Sequence, residues 1–326
     1  MAGYFSLEFP VKAAFLDYDT VSRGDLDASR LAAAVDELRL FKIDESRISS
    51  MIADVDMALI NKVKLTGALL RGAPKLKLVA LAATGTDNVD LDAARELGIA
   101  VCNVRGYCTA SVVQQVWALI LNLTQHVNEY SRMSRDGSWQ RDPAGTVLSH
   151  GIRELQGRMF GVVGWGELGR GVARVAEAFG MRVLIANRRG AQPTAGRLSL
   201  EALLPVADIL SLHCPLTDST RGLIGPRELA LMQPSALLIN TARGALVDGA
   251  ALAAALKAGR LGGAGIDVLA REPPSADEPL LDPALPNLLV TPHIAWAARE
   301  ARQRCIDEMA ANIHDFRSGG RRGRVV

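Results

Sequence analysis

Gly164-Trp165-Gly166-Glu167-Leu168-Gly169 stands between an apolar run, Met159 to Val163, and a stretch with helical patterning. A G-x-G-x-x-G motif alone is an ordinary glycine-rich turn as easily as a nucleotide site. Between a strand and a helix it acquires a mechanism. Gly164 permits the tight turn after the strand, Gly166 lets the backbone approach a pyrophosphate, and Gly169 allows helix and strand to pack closely. A helix opening at Leu168, with Glu167 just before it as a further cofactor-binding candidate, would aim its unpaired N–H groups and its positive dipole end at the phosphates.

Outward from this motif the chain repeats one pattern. Downstream, short apolar runs at Arg182 to Ala186, Ile209 to His213, Ala236 to Asn240, Gly263 to Asp267 and Leu288 to Thr291 alternate with helical segments. Upstream, Ala13 to Leu16, Met57 to Ile60, Leu78 to Leu81 and Ile99 to Val101 read as strands. Leu26 to Leu40 and Asp90 to Leu97 read as helices, the second closed by Gly98 as a C-cap. Such βα alternation predicts parallel sheets covered by helices. A long helix is expected from Ser111 to Tyr130, followed by a polar arm, Arg135 to Ser149, too long for a simple connection. Ala297 to Phe316 reads as a last helix long enough to return to the first series of strands. The Gly/Arg-rich tail, Arg317 to Val326, reads as a solvated, frayed end.

Composition narrows the function classes. With 326 residues, 49% hydrophobic and 22% charged, the chain has material for two domains with real cores. A net charge of +2 is too balanced for a nucleic-acid or anionic-membrane surface. The first ten residues lack a signal-peptide pattern, and no apolar run reaches the roughly 20 residues of a membrane span. Cys102, Cys108, Cys214 and Cys305 lack framework or metal-site spacing, which suits a reduced cytoplasm and incidental thiols.

The cofactor choice turns on the second strand of the fingerprint unit. An NAD site is expected to carry an acid there, about 20 residues on, to accept the ribose hydroxyl protons. Here the position is Asn187, followed by Arg188 and Arg189. Two guanidinium groups suit a 2′-phosphate and favour NADPH. The alternative is a basic turn over a tolerant adenosine site, leaving NAD(P)H as the cofactor class.

Three further residues follow probable strands: Arg243, Glu272 and His293. Reduction of a 2-oxo acid needs its carboxylate held, its ketone polarised and a proton delivered to the developing alkoxide. Arg243 is suited to the first two, since its fork binds carboxylate and stays charged. His293 is suited to deliver the proton, and Glu272 to favour its imidazolium and fix its tautomer. Singly, each has a bland reading as a surface ion pair, a loop acid or a sheet cap. His213 reads as structural.

These motifs resemble the D-isomer-specific 2-hydroxyacid dehydrogenase family over nearly the whole chain. The resemblance is carried by Ala83 to Asp90, Tyr107 to Val112, the Gly164 fingerprint, His213 to Thr217, Asn240 to Asp248, Gly265 to Val268, Glu272-Pro273-Pro274 and Thr291 to Trp296. It implies Arg243, Glu272 and His293 as the catalytic trio. It implies substrate-carboxylate contacts from the backbone of Thr84, Gly85 and Thr86, and cofactor contacts from Cys214, Thr241, Asp267 and Ala295. Within the family, Asn61-Lys62-Val63 and Ala83 to Thr86 are most similar to bacterial glycerate dehydrogenases, also called hydroxypyruvate reductases. Lys62 is then either a carboxylate clamp or a solvated loop lysine. Trp296 is either an apolar wall of the substrate pocket or a packing residue. Asn187 departs from the Asp of NAD-using members. Glu272, where the formate-oxidising branch has Gln, argues against formate as substrate, and Thr84, where the phosphite-oxidising branch has Lys, argues against phosphite.

The expected fold is α/β, with two doubly wound parallel-sheet domains. A Rossmann cofactor domain, 104–293, is inserted into a flavodoxin-like substrate domain, 1–103 plus 294–326. The expected reaction is hydride transfer between NAD(P)H and a small 2-oxo acid, hydroxypyruvate or glyoxylate, giving D-glycerate or glycolate. Alternatives are another D-2-hydroxyacid or a nucleotide-sensing module like the corepressors that resemble this family. The resemblance also implies a homodimer, formed through the helix from Ser111 and the arm Arg135 to Ser149.

Overall fold

A computed structural model describes residues 10–188, 190, 192 and 194–326. The chain divides into two compact units, Met1–Cys108 with Trp296–Val326, and Thr109–Ala295.

The first unit is built on five strands: β1 (Lys12–Phe15), β2 (Glu37–Leu40), β3 (Met57–Ile60), β4 (Leu78–Leu81) and β5 (Ala100–Cys102). All pair in parallel, in the order β2-β1-β3-β4-β5. Both faces are buried, so the central strands are apolar throughout rather than alternating. Successive side chains nonetheless go to opposite cores. Ala13 and Phe15 join a cluster closed by Ala301, Cys305, Ile306, Met309 and Ile313 of the last helix, Arg299–Arg317. Ala14 and Leu16 join a second cluster with Ile48, Met51, Ile52, Leu70 and Ala94.

Two expectations for this unit are corrected. Leu26 to Leu40 is not one helix: a short helix, Ser29–Ala33, precedes strand β2. The Leu-rich run is compatible with a helix locally, but β1 offers a free edge, and Glu37 to Leu40 pair along it residue for residue. Nor is the tail frayed. Val101 donates to the Val326 carbonyl (3.3 Å) and accepts from Val325 N (2.7 Å), while Asn103 N donates to the Gly323 carbonyl (2.9 Å). Cys102 and Arg324 form an antiparallel bridge. The tail thus covers the edge that β5 would otherwise expose.

The second unit carries β6 (Met159–Val163), β7 (Arg182–Ile185), β8 (Ile209–Leu212), β9 (Leu237–Asn240), β10 (Gly263–Ile266) and β11 (Leu288–Val290). The order is β11-β10-β9-β8-β6-β7, all parallel. Leu198 adds a parallel bridge to Ala186 beyond β7. Strand order reverses beside β6, the switch point where open α/β sheets bind ligands at their carboxyl ends. On one face Trp117 of helix Thr109–Gln125 stacks on Phe160 and Phe179, with ring centroids 5.7 and 5.0 Å apart. That helix stops earlier than expected: His126 takes a left-handed φ of 50°, and a separate helix, Val127–Met133, follows. No helix among the described residues is long and apolar enough to cross a membrane.

Candidate active site

The glycines of the fingerprint are spaced by contact. Gly164 has φ 103°, and a Cβ there would lie 2.5 Å from the His213 carbonyl carbon. A Cβ on Gly169 would lie 2.1 Å from the Gly164 oxygen. At Gly166 a Cβ would meet nothing within 4 Å, so this backbone faces open space. Gly166 is also the N-cap of helix Glu167–Ala178, and as a glycine it brings no side chain of its own to cap the first N–H groups. An uncapped helix end behind an open glycine turn is a cradle for phosphate oxygens. Glu167 turns sideways to accept from Thr109 Oγ1 at 2.5 Å, and Leu168 is half-buried in the first turn.

Asn187 follows β7. Its N–H donates to the Leu198 carbonyl at 2.7 Å, and its Oδ1 accepts from Thr194 N at 3.2 Å. Arg188 is exposed beside it, and Arg189 lies outside the described residues. Two positions at the carboxyl ends of the middle strands hold polar atoms without hydrogen-bond partners among the described residues. They are Thr241 Oγ1, after β9, and His213 Nδ1, after β8. Burial pushes the His213 imidazole down to about 4, and its Nε2 lies 2.8 Å from Ser211 Oγ. Burial also pushes the half-buried Cys214 thiol up. These residues fit a nicotinamide dinucleotide, whose diphosphate would take the Gly164–Gly169 cradle and whose amide-bearing end would supply partners for orphaned polar atoms.

His293 and Glu272 are brought together, with Nδ1 to Oε2 at 2.5 Å. Glu272 Oε1 accepts from Leu269 N at 2.9 Å, so one oxygen is fixed by the backbone while the other meets the imidazole. The histidine backbone is left-handed, φ 54°, a conformation that costs about 1–3 kcal/mol and persists only where its surroundings fix it. Asp267 imposes it. His293 N donates to the Asp267 carbonyl at 2.8 Å. The fully buried Asp267 carboxylate accepts from Thr291 Oγ1 (2.5 Å), Ile294 N (3.0 Å) and Ala295 N (2.8 Å). Asp267 and Ala295, both expected as cofactor contacts, are tied together here as the anchor of the histidine loop and one of its donors.

Arg243 follows β9, next to β10. Asn240, fully buried, holds its turn: Nδ2 donates to the Arg243 carbonyl (2.9 Å) and Oδ1 accepts from Ala242 N (3.1 Å). The Arg243 guanidinium donates from Nη1 to the Ala242 carbonyl at 2.8 Å. Gly244 then packs so tightly that a Cβ would lie 1.9 Å from the Leu269 carbonyl carbon. The arginine turn and the glutamate loop therefore share one backbone contact.

The expected substrate residues lie in the first unit. Thr84 Oγ1 donates to the Val104 carbonyl (2.7 Å), and the Thr84 carbonyl accepts from Asn103 Nδ2 (2.6 Å). Gly85 and Thr86 continue this turn after β4. Lys62 Nζ stands 5.7 Å from the ring centroid of Trp296. Sequence reasoning assigns no part to Asn240, Asp17 or Asn88. Asn240 lies inside a quoted motif, while Asp17 carries no signal beyond an acid closing an apolar run.

The chain matches the family described as D-isomer specific 2-hydroxyacid dehydrogenase, NAD binding domain, over residues 117–295. It is 41% identical over 302 residues to a glycerate dehydrogenase of Methylorubrum extorquens, covering 90% of this chain and 95% of that protein. It is 33% identical over 316 residues to a hydroxypyruvate reductase of Blautia hydrogenotrophica, covering 95% and 98%. Among solved structures, the TT0316 protein from Thermus thermophilus matches with a TM-score of 0.84 at 35% identity, covering 97% of this chain and all of that one.

Proposed function

The chain belongs to the D-isomer-specific 2-hydroxyacid dehydrogenase family, and from that premise we propose that it reduces hydroxypyruvate, and glyoxylate as a smaller analogue, to the D-2-hydroxy acid with NADPH. The observation that carries this reading is the His293–Glu272 pair, fixed in unit 109–295 beside the turn that bears Arg243. Bound NAD(P)H supplies the hydride. Arg243 holds the 2-oxo acid by its carboxylate and draws charge from the ketone oxygen. His293, oriented through Nδ1, hands a proton from Nε2 to the alkoxide as it forms. Glu272 stabilises the imidazolium before transfer and keeps the tautomer after it. Lys62 and the backbone of Thr84 to Thr86 bind the substrate carboxylate.

The unit Thr109–Ala295 is the cofactor domain in this reading and the other unit the substrate domain. Gly164, Gly166, Glu167, Leu168 and Gly169 take the diphosphate, and Cys214, Thr241, Asp267 and Ala295 the nicotinamide side. The preference for NADPH rests on Asn187, a neutral side chain with exposed Arg188 next to it, where a carboxylate would repel a 2′-phosphate. A homodimer is supported by exposed Val127, Trp139, Leu148 and Ile152, clustered in one stretch of sequence. Free thiols suit a cytoplasmic location.

Initial rates with hydroxypyruvate, followed by nicotinamide absorbance with NADPH and NADH in parallel, test this directly. Faster turnover with NADPH supports the whole reading. Faster turnover with NADH keeps the reaction and removes the role of Arg188. Failure with hydroxypyruvate, glyoxylate and a panel of other 2-oxo acids overturns it.

A further inference from the structure

Asp17, just beyond β1, is an acid with no surface exposure. Its carboxylate accepts three consecutive backbone N–H groups: Asn61 N on Oδ1 at 2.9 Å, then Lys62 N at 2.6 Å and Val63 N at 2.9 Å on Oδ2. The loop after β3 is therefore wrapped around one buried carboxylate, an arrangement in which successive amides form an anion nest. Asn88 closes the loop from the other side, donating from Nδ2 to the Asn61 carbonyl (3.2 Å) and the Val63 carbonyl (2.9 Å). Asn61 Nδ2 in turn donates to Thr20 Oγ1 at 2.9 Å. Lys62 is the middle residue of this doubly held loop. Asn88 follows directly on the Thr84 to Asp87 turn, so the two loops share one hydrogen-bond network.

The arrangement is costly. Burial pushes the Asp17 carboxyl up, and the three N–H groups pull it only part of the way back. A chain selected for stability alone would hold this loop with neutral groups. What the carboxylate provides is convergence: three amides aimed at one point fix the backbone of Lys62 more tightly than a neutral acceptor can.

We infer that Asp17 is a positioning residue for substrate binding, fixing Lys62 and, through Asn88, the Thr84 to Thr86 turn as a single carboxylate-binding platform. This rests on the role proposed for those loops. Asp17→Asn keeps the shape but turns an amide donor toward the backbone amides. KM for hydroxypyruvate is expected to rise about tenfold, the loss of one charge-assisted anchor, while KM for the nicotinamide cofactor stays constant. Lys62→Ala alone should raise the same KM, and added to Asp17→Asn it should have little further effect. An Asp17→Asn enzyme with unchanged hydroxypyruvate KM overturns the inference. So does one in which substrate and cofactor KM rise together, since that marks general loosening. If Lys62→Ala leaves KM unchanged, the reading of Lys62 fails separately, and a rise in Asp17→Asn then places the effect on the Thr84 turn. Should Asp17→Asn not fold, Asn88→Ala releases the same loop from outside, and an unchanged hydroxypyruvate KM in that variant overturns the proposal.

Discussion

Nδ1 of His293 lies 2.5 Å from Oε2 of Glu272, and the other oxygen of the same carboxylate accepts the amide of Leu269. The carboxylate is therefore oriented by main chain and the imidazole by the carboxylate. Glu272→Gln keeps the size and removes the charge. The imidazole then loses its charged partner and the group that fixes its orientation. For reduction, kcat is expected to fall about 10–100-fold while KM for the cofactor stays constant. Initial-rate assays decide it; an unchanged kcat removes Glu272 from the acid–base step.

Arg243 is held by a turn whose constraints come from Asn240 and the backbone. Arg243→Ala removes both the substrate clamp and the positive charge beside the ketone. A loss of at least about 100-fold in kcat/KM is expected, on the scale of an oxyanion-stabilising donor. Arg243→Lys should recover little, since an ammonium does not reproduce a bidentate fork. Turnover close to that of the parent enzyme in the alanine variant would exclude the assignment.

Gly244 is the seam between the arginine turn and the glutamate loop. A methyl group there would lie 1.9 Å from the Leu269 carbonyl carbon, so Gly244→Ala must push the two apart. Overpacking of this kind costs about 1–3 kcal/mol. Because Leu269 N also holds Glu272, the expected result is a lower melting temperature together with a lower kcat. Full activity in a destabilised variant would show that the loops relax independently.

The cofactor reading makes a paired prediction. Arg188→Ala should raise KM for NADPH about tenfold, one charge-assisted contact, and leave KM for NADH unchanged. Asn187→Asp should shift preference toward NADH, because a carboxylate repels the 2′-phosphate and accepts from a ribose hydroxyl. Both are read from initial rates with the two cofactors. If neither variant alters the ratio, the adenosine site does not discriminate through this turn.

The parts of the fold that are legible in sequence are those set by local pattern. The buried runs Met57 to Ile60 and Leu78 to Leu81 have the length and composition of interior strands, and the fingerprint announces its own strand and helix. Glu37 to Leu40 is hidden because its identity as a strand comes from β1, which offers an edge more than 20 residues earlier in the chain. The tail is hidden for the same reason: what orders it is the exposed side of β5. His126 ends a helix without a Gly or Pro to signal it. The His293–Glu272 pair is readable because chemistry limits which side chains can serve it. The Asp17 network is not, since its carboxylate meets amides 44 to 46 positions away, and backbone donors carry no residue signature.

His213 ties stability to pH. Its imidazole is pushed down to about 4 by burial, with Nδ1 buried and without a hydrogen-bond partner among the described residues. The ordinary value is about 6.5. As pH falls through 6.5 the unfolded chain takes up this proton first, while the folded chain resists until about 4. Stability from the neutral ring is therefore fully present above pH 6.5 and is lost as pH drops toward 4. The loss has an upper bound of about 3 kcal/mol, since part of the residue's surface still reaches solvent. His213→Gln keeps a polar group within reach of Ser211 but cannot take up a proton. Denaturant titrations of both proteins, at about pH 7.5, above that window, and at about pH 4.5, where most of the loss has occurred, are expected to show a smaller acid penalty in the variant. Equal penalties would mean that the acid sensitivity arises at other groups and that His213 is protonated without cost in the folded chain.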